Sequence, residues 1–417
     1  MKKGLRFMKD TFLGVVGLVF MNAVLSVLVY PFLKDRFVLE FGETLGAELH
    51  GKVLFYTSIM NLLAGTFGSA ANYARLKVLS QEKKTVNGDY NVFLMISFLF
   101  VAVLTIIAAL VKGDSANTSI VLIIILIFAT VVRYYADVEF RLTLRYGHFC
   151  LYYVVIGAGY LLGMLLFTWT KNWVLVFLPG EFFGLIYVMI FGRVLRRPVL
   201  ETSPDYKKHL GIMASLALAF FLSDFVGQSD RLLFPLILPE GGDAMTSLYY
   251  SASLVGKMMS LLSTPLNGVL MGHLSNEDGE ISRKNFVKII LLMIAVFVLV
   301  TVVAVVGSHI FVLWRYPDNY EAVKDLFILA NAGQVLFFVC NTLSVIVLRY
   351  THPRNQMIAS GAYIVAFFAI TVPLIKVFGI YGMAYGILIV NTLKFVLFAI
   401  LGIVGVKKQP QAAKTEE

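Results

Sequence analysis

The sequence predicts an all-α integral membrane protein of about twelve transmembrane helices, grouped in two six-helix lobes. Three observations predict this fold class. The 417 residues are 59% hydrophobic and 14% charged, with a mean hydropathy of +0.82, which is too apolar for a soluble chain of this length. Apolar runs of about 20 residues recur throughout, and the basic residues concentrate in alternate loops.

Twelve apolar runs are long enough to cross a bilayer. They occupy residues 11–33, 52–73, 91–111, 118–136, 149–169, 173–193, 211–238, 245–270, 286–312, 325–348, 356–377 and 379–405. The first is too long for a signal-peptide core and has no small-residue cleavage pattern, so we expect it to be retained as a span.

The loop charges predict the orientation of these spans. With the N-terminus in the cytoplasm, the inside segments carry 24 basic residues and the outside segments carry 8. Both termini are therefore expected in the cytoplasm. The remaining three basic residues, Arg231, Lys257 and Lys394, lie inside predicted spans.

The longest basic inside loop follows the sixth span and contains Pro198 and Pro204. Its position predicts an N-terminal lobe over residues 1–192, a cytoplasmic linker over 193–210, a C-terminal lobe over 211–405 and a cytoplasmic tail over 406–417.

The seventh span carries charges where an unpaired charge is costly. At 100° per residue Asp224, Gln228 and Arg231 share one face, and Asp230 points away from it. Two interpretations of Asp224 stay open: a protonatable or sodium-binding carboxylate that couples transport, or a structural partner of Lys257 or Arg231. Asp230 and Arg231 lie nearer the outer end, where arginine can snorkel or pair locally.

The eighth span has a polar stripe with a lysine near its middle. The stripe consists of Tyr250, Ser253, Lys257, Ser260 and Thr264. Lys257 is interpreted either as a contact for an anionic substrate or as a salt-bridge partner of Asp224 or Asp230.

Further charged residues lie at or in other spans. At the inner end of the fourth span, charged residues recur every four positions: Arg133, Asp137, Arg141 and Arg145. They are interpreted either as a solvated basic extension of the helix or as a guanidinium collar, a ring of guanidinium groups that receives a phosphate-bearing headgroup. Arg75 permits the same two interpretations. Glu181 is an intramembrane acid after Pro179 and Gly180, and Lys394 is interpreted as structural.

Several function classes lack their signatures. No phosphate-binding GxxxxGK[ST] loop is present, and no His cluster or paired Cys indicates a metal or haem. The net charge of +10 is spread over short loops, so it indicates topology rather than nucleic-acid binding. We expect no enzymatic activity and no cofactor.

Four short motifs, in order, resemble a known transporter branch. They are LRYGHF at 144–149, SDRLLFPLIL at 229–238, SLYYSASL at 247–254 and FGIYGMAYGIL at 378–388. Together they resemble the polysaccharide-transporter (oligosaccharide flippase) branch of the multidrug/oligosaccharidyl-lipid/polysaccharide exporter superfamily. The chain departs from that pattern at Phe234 and Pro235, where a small glycine is usual, and in the loop 239–244.

The resemblance implies a V-shaped pair of lobes with alternating access in a bacterial cytoplasmic membrane. The implied function is flipping an undecaprenyl-pyrophosphate-linked oligosaccharide from the cytoplasmic to the outer face, with glycan polymerase or glycosyltransferase partners. Lys257, Arg75 and Arg133 would contact the diphosphate, with Arg231 a further substrate contact. Tyr250, Ser253 and Ser260 would face the sugar.

Two alternatives remain. A cation-coupled drug or metabolite antiporter of the same fold predicts a protonation-sensitive Asp224 and transport of small organic cations. A membrane glycosyltransferase or polymerase predicts a large outside loop, whereas the longest outside loop here runs only from about Lys34 to Leu49.

Overall fold

The computed structural model describes residues 2–82, 85–112, 118–195, 199–238, 240–261, 282–350 and 353–406. All regular elements in these ranges are helical, which confirms the predicted all-α class. The described chain forms two compact units, Met1–Ser247 and Leu248–Glu417, here called unit 1 and unit 2. They divide within the eighth predicted span, and the boundary predicted at 193–210 stays a prediction.

Unit 1 contains ten complete α-helices and two π-helical segments. They are α1 (Lys2–Ala23), π1 (Val24–Val29), α2 (Tyr30–Phe41), α3 (Glu43–Leu63), π2 (Ala64–Ser69), α4 (Ala70–Glu82), α5 (Asn87–Val111), α6 (Thr118–Ala136), α7 (Val138–Leu142), α8 (Tyr146–Thr170), α9 (Val174–Phe191) and α10 (Tyr206–Ile237). The two π segments were not predicted, because an apolar run has the same composition in either helix type.

Unit 2 begins inside α11 (Gly242–Leu261). Its other described helices are α12 (Arg283–Arg315), α13 (Pro317–Val323), a short 3₁₀ turn (Lys324–Leu326), α14 (Phe327–Tyr350) and α15 (Pro353–Val406). Asn331 holds three of them together. Its Nδ2 donates to the oxygens of Ala252 and Ser308 at 3.1 and 3.0 Å, and its Oδ1 accepts from the Gly256 N–H at 2.7 Å.

Among the described residues, nine helices are long and apolar enough to cross a membrane, and the bent α10 makes ten. The last of them, Ile358–Gly405, has 48 residues. At 1.5 Å per residue it is about 72 Å long, more than twice the hydrocarbon thickness. It is broken at Gly379 (φ 55°, ψ −123°), the first residue of the predicted span 379–405 and two residues after the end of the predicted span 356–377. Part of the predicted span 245–270 lies outside the described residues.

Small residues bring α8 and α9 together. A Cβ at Gly159 would collide with the Gly180 backbone, and a Cβ at Gly163 would collide with the Val176 backbone. Glycine therefore permits close backbone approach, as it does between many membrane helices. This contact places Tyr160 of α8 next to Glu181 of α9.

The connection between α9 and α10 is anchored on unit 1 by two carboxylates. Asp89 accepts from the N–H and hydroxyl of Ser203 at 2.7 and 2.6 Å, and it lies 2.7 Å from His209 Nδ1. Glu139 accepts from the N–H groups of Arg193 and Val194 at 2.8 and 3.1 Å. The described part of this segment is therefore bound to α5 and α7.

Helix α10 packs on α3, π2, α4 and α5, all in unit 1. The charged seventh span therefore lies against the second span, which determines the surroundings of Asp224.

Candidate functional site

Asp224 lies at a break in α10. The segments Tyr206–Leu222 and Asp224–Ile237 are bent by 46° relative to each other, so Asp224 is the first residue of the second segment. No proline lies at the centre of this bend, because the proline of α10, Pro235, is near the end of the helix.

Opposite this bend lies the π2 segment of the second span. A Cβ at Gly65 would collide with the Asp224 carboxylate, so the carboxylate in this position lies directly against the Gly65 Cα, and any larger residue would force it or the π2 segment to move. On the face of α10 next to Asp224, a Cβ at Gly227 would meet no atom within 4 Å. The carboxylate therefore lies against a π-helical turn, a feature often found at functional sites.

The Asp224 carboxylate is half-buried and has no hydrogen bond or ion pair with any residue that the structure describes. The interpretation of Asp224 as a structural ion-pair partner therefore has no support in this conformation. The next two charged residues of α10 are more deeply buried than Asp224. Asp230 is 2% exposed and Arg231 is 9% exposed, and the Arg231 Cζ lies 5.9 Å from the Tyr30 ring centroid. Arg231 is thus buried, which disfavours snorkelling, and the alternative of a local pairing stays a prediction.

A second charged group in unit 1 is the ion pair of Arg133 and Glu181. Arg133 Nε donates to Glu181 Oε2 at 2.6 Å, and both side chains are buried. The other oxygen, Oε1, accepts from the Tyr160 hydroxyl at 2.6 Å, and the Tyr152 hydroxyl donates to the Arg133 carbonyl at 3.1 Å. Arg133, predicted to contact a diphosphate, therefore already has a carboxylate partner in this conformation.

The basic face predicted at 133–145 does not form, because the helix ends at Ala136 and Arg145 lies outside helical geometry before α8. Each arginine faces an acid instead. Arg141 donates to Asp137 at 3.0 Å, and Arg145 donates to Glu139 at 3.1 Å. The guanidinium collar interpretation is therefore not supported by this geometry.

Arg75 differs from those arginines because no described carboxylate pairs with it. It is 6% exposed, donates to the Tyr135 hydroxyl and to Asn87 Oδ1 (2.7 Å for the latter), and lies over the Tyr90 ring at 5.2 Å. Its Nε has no hydrogen-bond partner among the residues that the structure describes. Arg75 is thus a buried cation in unit 1 held by neutral groups.

The predicted stripe of the eighth span is mostly buried. Tyr250 and Ser253 are fully buried, whereas Lys257 and Ser260 are half-buried. The Ser253 and Ser260 hydroxyls donate to the carbonyls of Tyr249 and Lys257, both at 2.8 Å, as hydroxyls in helices often do. Thr264 lies outside the described residues. The predicted contact of Tyr250, Ser253 and Ser260 with a sugar stays a prediction.

Sequence reasoning missed the surroundings of Lys394 in unit 2. Its Nζ donates to Asn341 Oδ1 at 3.2 Å and lies 4.3 Å from the Tyr363 ring centroid and 4.9 Å from that of Phe337. The only indication of this group in the sequence was a lysine inside an apolar span, which does not identify the residues around it. The aromatic partners come from residues 31 and 57 positions away, which sequence spacing does not connect.

Known structures of similar fold are transporters. A structure of MATE in complex with MaL6 superposes with a TM-score of 0.63 at 14% identity, covering 96% of this chain and 97% of that chain. The Vibrio cholerae MATE transporter VcmN, in a mutant form, gives 0.62 at 11% identity with the same coverage. An inward-facing MATE family transporter of the MOP superfamily gives 0.60 at 13% identity, covering 95% and 96%. No protein-family model and no curated protein matches the sequence.

At these identities the likeness establishes the fold. This chain is an all-helical, multi-pass membrane protein with the fold of the MATE transporters. That fold agrees with the superfamily that the sequence motifs resemble.

Proposed function

We propose that this chain is a cation-coupled antiporter that moves a drug or metabolite across the membrane. The observation that carries the proposal is the carboxylate of Asp224, which has no hydrogen bond or ion pair among the described residues. The MATE fold supports a transport role by analogy, since fold alone does not fix function.

The physical argument starts from the cost of charge in a membrane. An isolated carboxylate at membrane depth is unfavourable by several kcal/mol, on the order of the insertion scales. Such a group is stabilised by taking up a proton or by binding a cation. A carboxylate that changes its occupant as the protein changes conformation links the movement of that cation to the movement of the substrate.

The local geometry supports such a change at Asp224. The residue follows a 46° bend in α10 and faces the π2 segment through Gly65, and no described atom lies within 4 Å of a Cβ built at the neighbouring Gly227. Small movements of a bent helix therefore alter how far the carboxylate is exposed. In this proposal the chain lies in a bacterial cytoplasmic membrane with both termini in the cytoplasm.

The test is gradient-driven transport by the full chain in proteoliposomes. A proton or sodium gradient would be imposed, and the transported probe would be either ethidium, an organic cation, or carboxyfluorescein, an organic anion. Because both charge types are tested, the result does not depend on the charge of the natural substrate. We expect gradient-driven transport of at least one probe. Asp224→Asn should reduce it by about tenfold or more, because an amide neither releases a proton nor carries charge to a cation.

The matched control is Asp205→Asn, the same chemical change at an exposed residue before α10. It should leave transport unchanged. Gradient-driven transport by Asp224→Asn at the wild-type rate, or wild-type protein that responds to neither gradient, contradicts the antiporter proposal.

A second candidate is a flippase for an undecaprenyl-pyrophosphate-linked oligosaccharide, working with glycosyltransferase or polymerase partners. The observation that favours it is Arg75, a buried cation for which the described residues provide neither a carboxylate partner nor a hydrogen-bond acceptor at Nε. A guanidinium in this state is suited to bind a phosphate oxygen. The motif resemblance of the sequence supports the same cargo.

Complementation of a strain lacking the protein distinguishes the two candidates. For a flippase, Arg75→Ala and Lys257→Ala should cause lipid-linked precursor to accumulate on the cytoplasmic side, at normal protein levels, and Asp224→Ala should retain activity. If precursor accumulates with none of these variants, the flippase candidate is wrong and the antiporter proposal is favoured.

A further inference from the structure

Lys394 lies near the middle of a membrane-spanning helix. It is about 22 Å along α15 from the break at Gly379 and about 18 Å from the helix end at Val406. At 100° per residue it is about 40° from the buried Phe398 and about 160° from the exposed Val396. The lysine therefore points toward the packed side of α15, where α14 lies, rather than toward lipid.

No acidic residue of the neighbouring helices is available to neutralise this lysine. Helices α12, α14 and α15 contain no Asp or Glu in their sequences. The described acids of unit 2 are confined to α13 and the 3₁₀ turn after it, where Glu321 pairs with Lys324 at 2.6 Å. No described carboxylate forms an ion pair with Lys394.

The neutral groups around Lys394 stabilise it only in part. The Tyr363 and Phe337 rings attract the ammonium through cation–π contacts, which leave its N–H donors without hydrogen bonds. An ammonium has three N–H donors, and Asn341 accepts from one of them. The other two N–H donors of Lys394 and the Nδ2 group of Asn341 have no hydrogen-bond acceptor among the described residues.

These groups have the properties of an anion site. Several N–H donors and one positive charge converge at membrane depth, without a counter-charge from any residue that the structure describes. A lysine serves as a point charge for phosphate oxygens, and an amide N–H adds a directional contact. An oxyanion would supply both the missing charge and the missing acceptors.

We propose that Lys394 and Asn341, flanked by Tyr363 and Phe337, bind a phosphate-type oxyanion of the transported substrate. This inference rests on the proposed transport function and adds the charge class of its cargo: the substrate is anionic rather than an organic cation. The oxyanion belongs either to a free metabolite or to a lipid headgroup, and the two sources are distinguished by the probe.

The test is calorimetric binding to the full chain in lipid nanodiscs, with no ion gradient. Inorganic pyrophosphate represents the free source, and farnesyl diphosphate added to the nanodisc represents the lipid source. We expect at least one probe to bind. Lys394→Met should weaken that binding by about tenfold or more, as loss of one charge-assisted hydrogen bond does.

Two variants separate binding from folding. Lys394→Met keeps the apolar stem and removes a poorly neutralised charge, so its thermal unfolding temperature should equal or exceed that of the wild type. Lys394→Arg retains the charge and should keep most of the binding. Lys324→Met, a change at an exposed lysine, should affect neither quantity.

The outcomes are distinct from those of the gradient experiment, because equilibrium binding needs no coupling cation. Binding of pyrophosphate that depends on Lys394 supports a soluble anionic substrate, and dependence seen only with farnesyl diphosphate supports a lipid-linked one. If neither probe binds the wild type, or if Lys394→Met binds as tightly, the proposed anion site is wrong. A Lys394→Met protein that is less stable but binds normally would make the lysine structural.

Discussion

Replacing Glu181 by leucine is expected to lower the stability of the protein by about 3 to 5 kcal/mol, the cost of leaving one partner of a buried ion pair without the other. Arg133 and Glu181 are 4% and 0% exposed, so neither can reach water when its partner is removed. The Tyr160 hydroxyl also loses its acceptor in this variant. The measurement is thermal unfolding of detergent-solubilised protein, where the transition should fall by several degrees.

The double variant Arg133→Met with Glu181→Leu should recover much of this loss, because removing both charges removes the uncompensated one. Glu40→Leu is the matched control. Its pair with Lys171 is solvent-exposed, with side chains 37% and 54% accessible, so the change should cost less than about 1 kcal/mol. Equal transitions for Glu181→Leu and Glu40→Leu would contradict the assignment of Arg133 and Glu181 as a buried pair.

Replacing Gly65 by alanine is expected to abolish most of the coupled transport while the protein still folds. The added Cβ would overlap the Asp224 carboxylate, so either that side chain or the π2 segment must move. A carboxylate displaced by about 1 Å binds a proton or cation in different surroundings, and a displacement of this size can lower the rate of a process that depends on the group by up to about a hundredfold. The measurement is gradient-driven transport in proteoliposomes.

Gly227→Ala is the matched control, since its Cβ would meet no atom within 4 Å on the neighbouring turn of α10. Alanine there should leave transport unchanged and stabilise the helix slightly. If Gly65→Ala transports like Gly227→Ala, the contact between Gly65 and Asp224 has no role in coupling.

The two units differ in the charges that they place at membrane depth. Unit 1 holds several acids in or next to its spans, among them Asp224, Asp230, Glu181 and Asp137, and two of these, Glu181 and Asp137, have arginine partners. Helices α12, α14 and α15 of unit 2 hold the cation Lys394 and no acid. The cation-coupling group and the anion-binding group that we propose therefore belong to different units.

The sequence by itself determined the fold class, the positions of most spans and the residues that needed explanation. The predicted spans 91–111, 118–136, 149–169 and 173–193 lie within a few residues of the observed helices Asn87–Val111, Thr118–Ala136, Tyr146–Thr170 and Val174–Phe191. This was possible because the length and hydropathy of a span are local properties, set by bilayer thickness. An intramembrane charge such as Asp224 or Lys394 is visible in the same way.

The tertiary structure alone decided which of those charges have partners. Arg133 meets Glu181 48 positions away, and Lys394 meets Asn341 53 positions away. Helical spacing predicts neighbours three or four residues apart, so it placed Arg133 on a basic face with Arg145 and could not find either distant partner. Likewise, the bend at Asp224 and the π2 segment opposite it arise where two helices pack. Whether a carboxylate couples transport or closes an ion pair is therefore fixed by packing between distant segments, which no local pattern encodes.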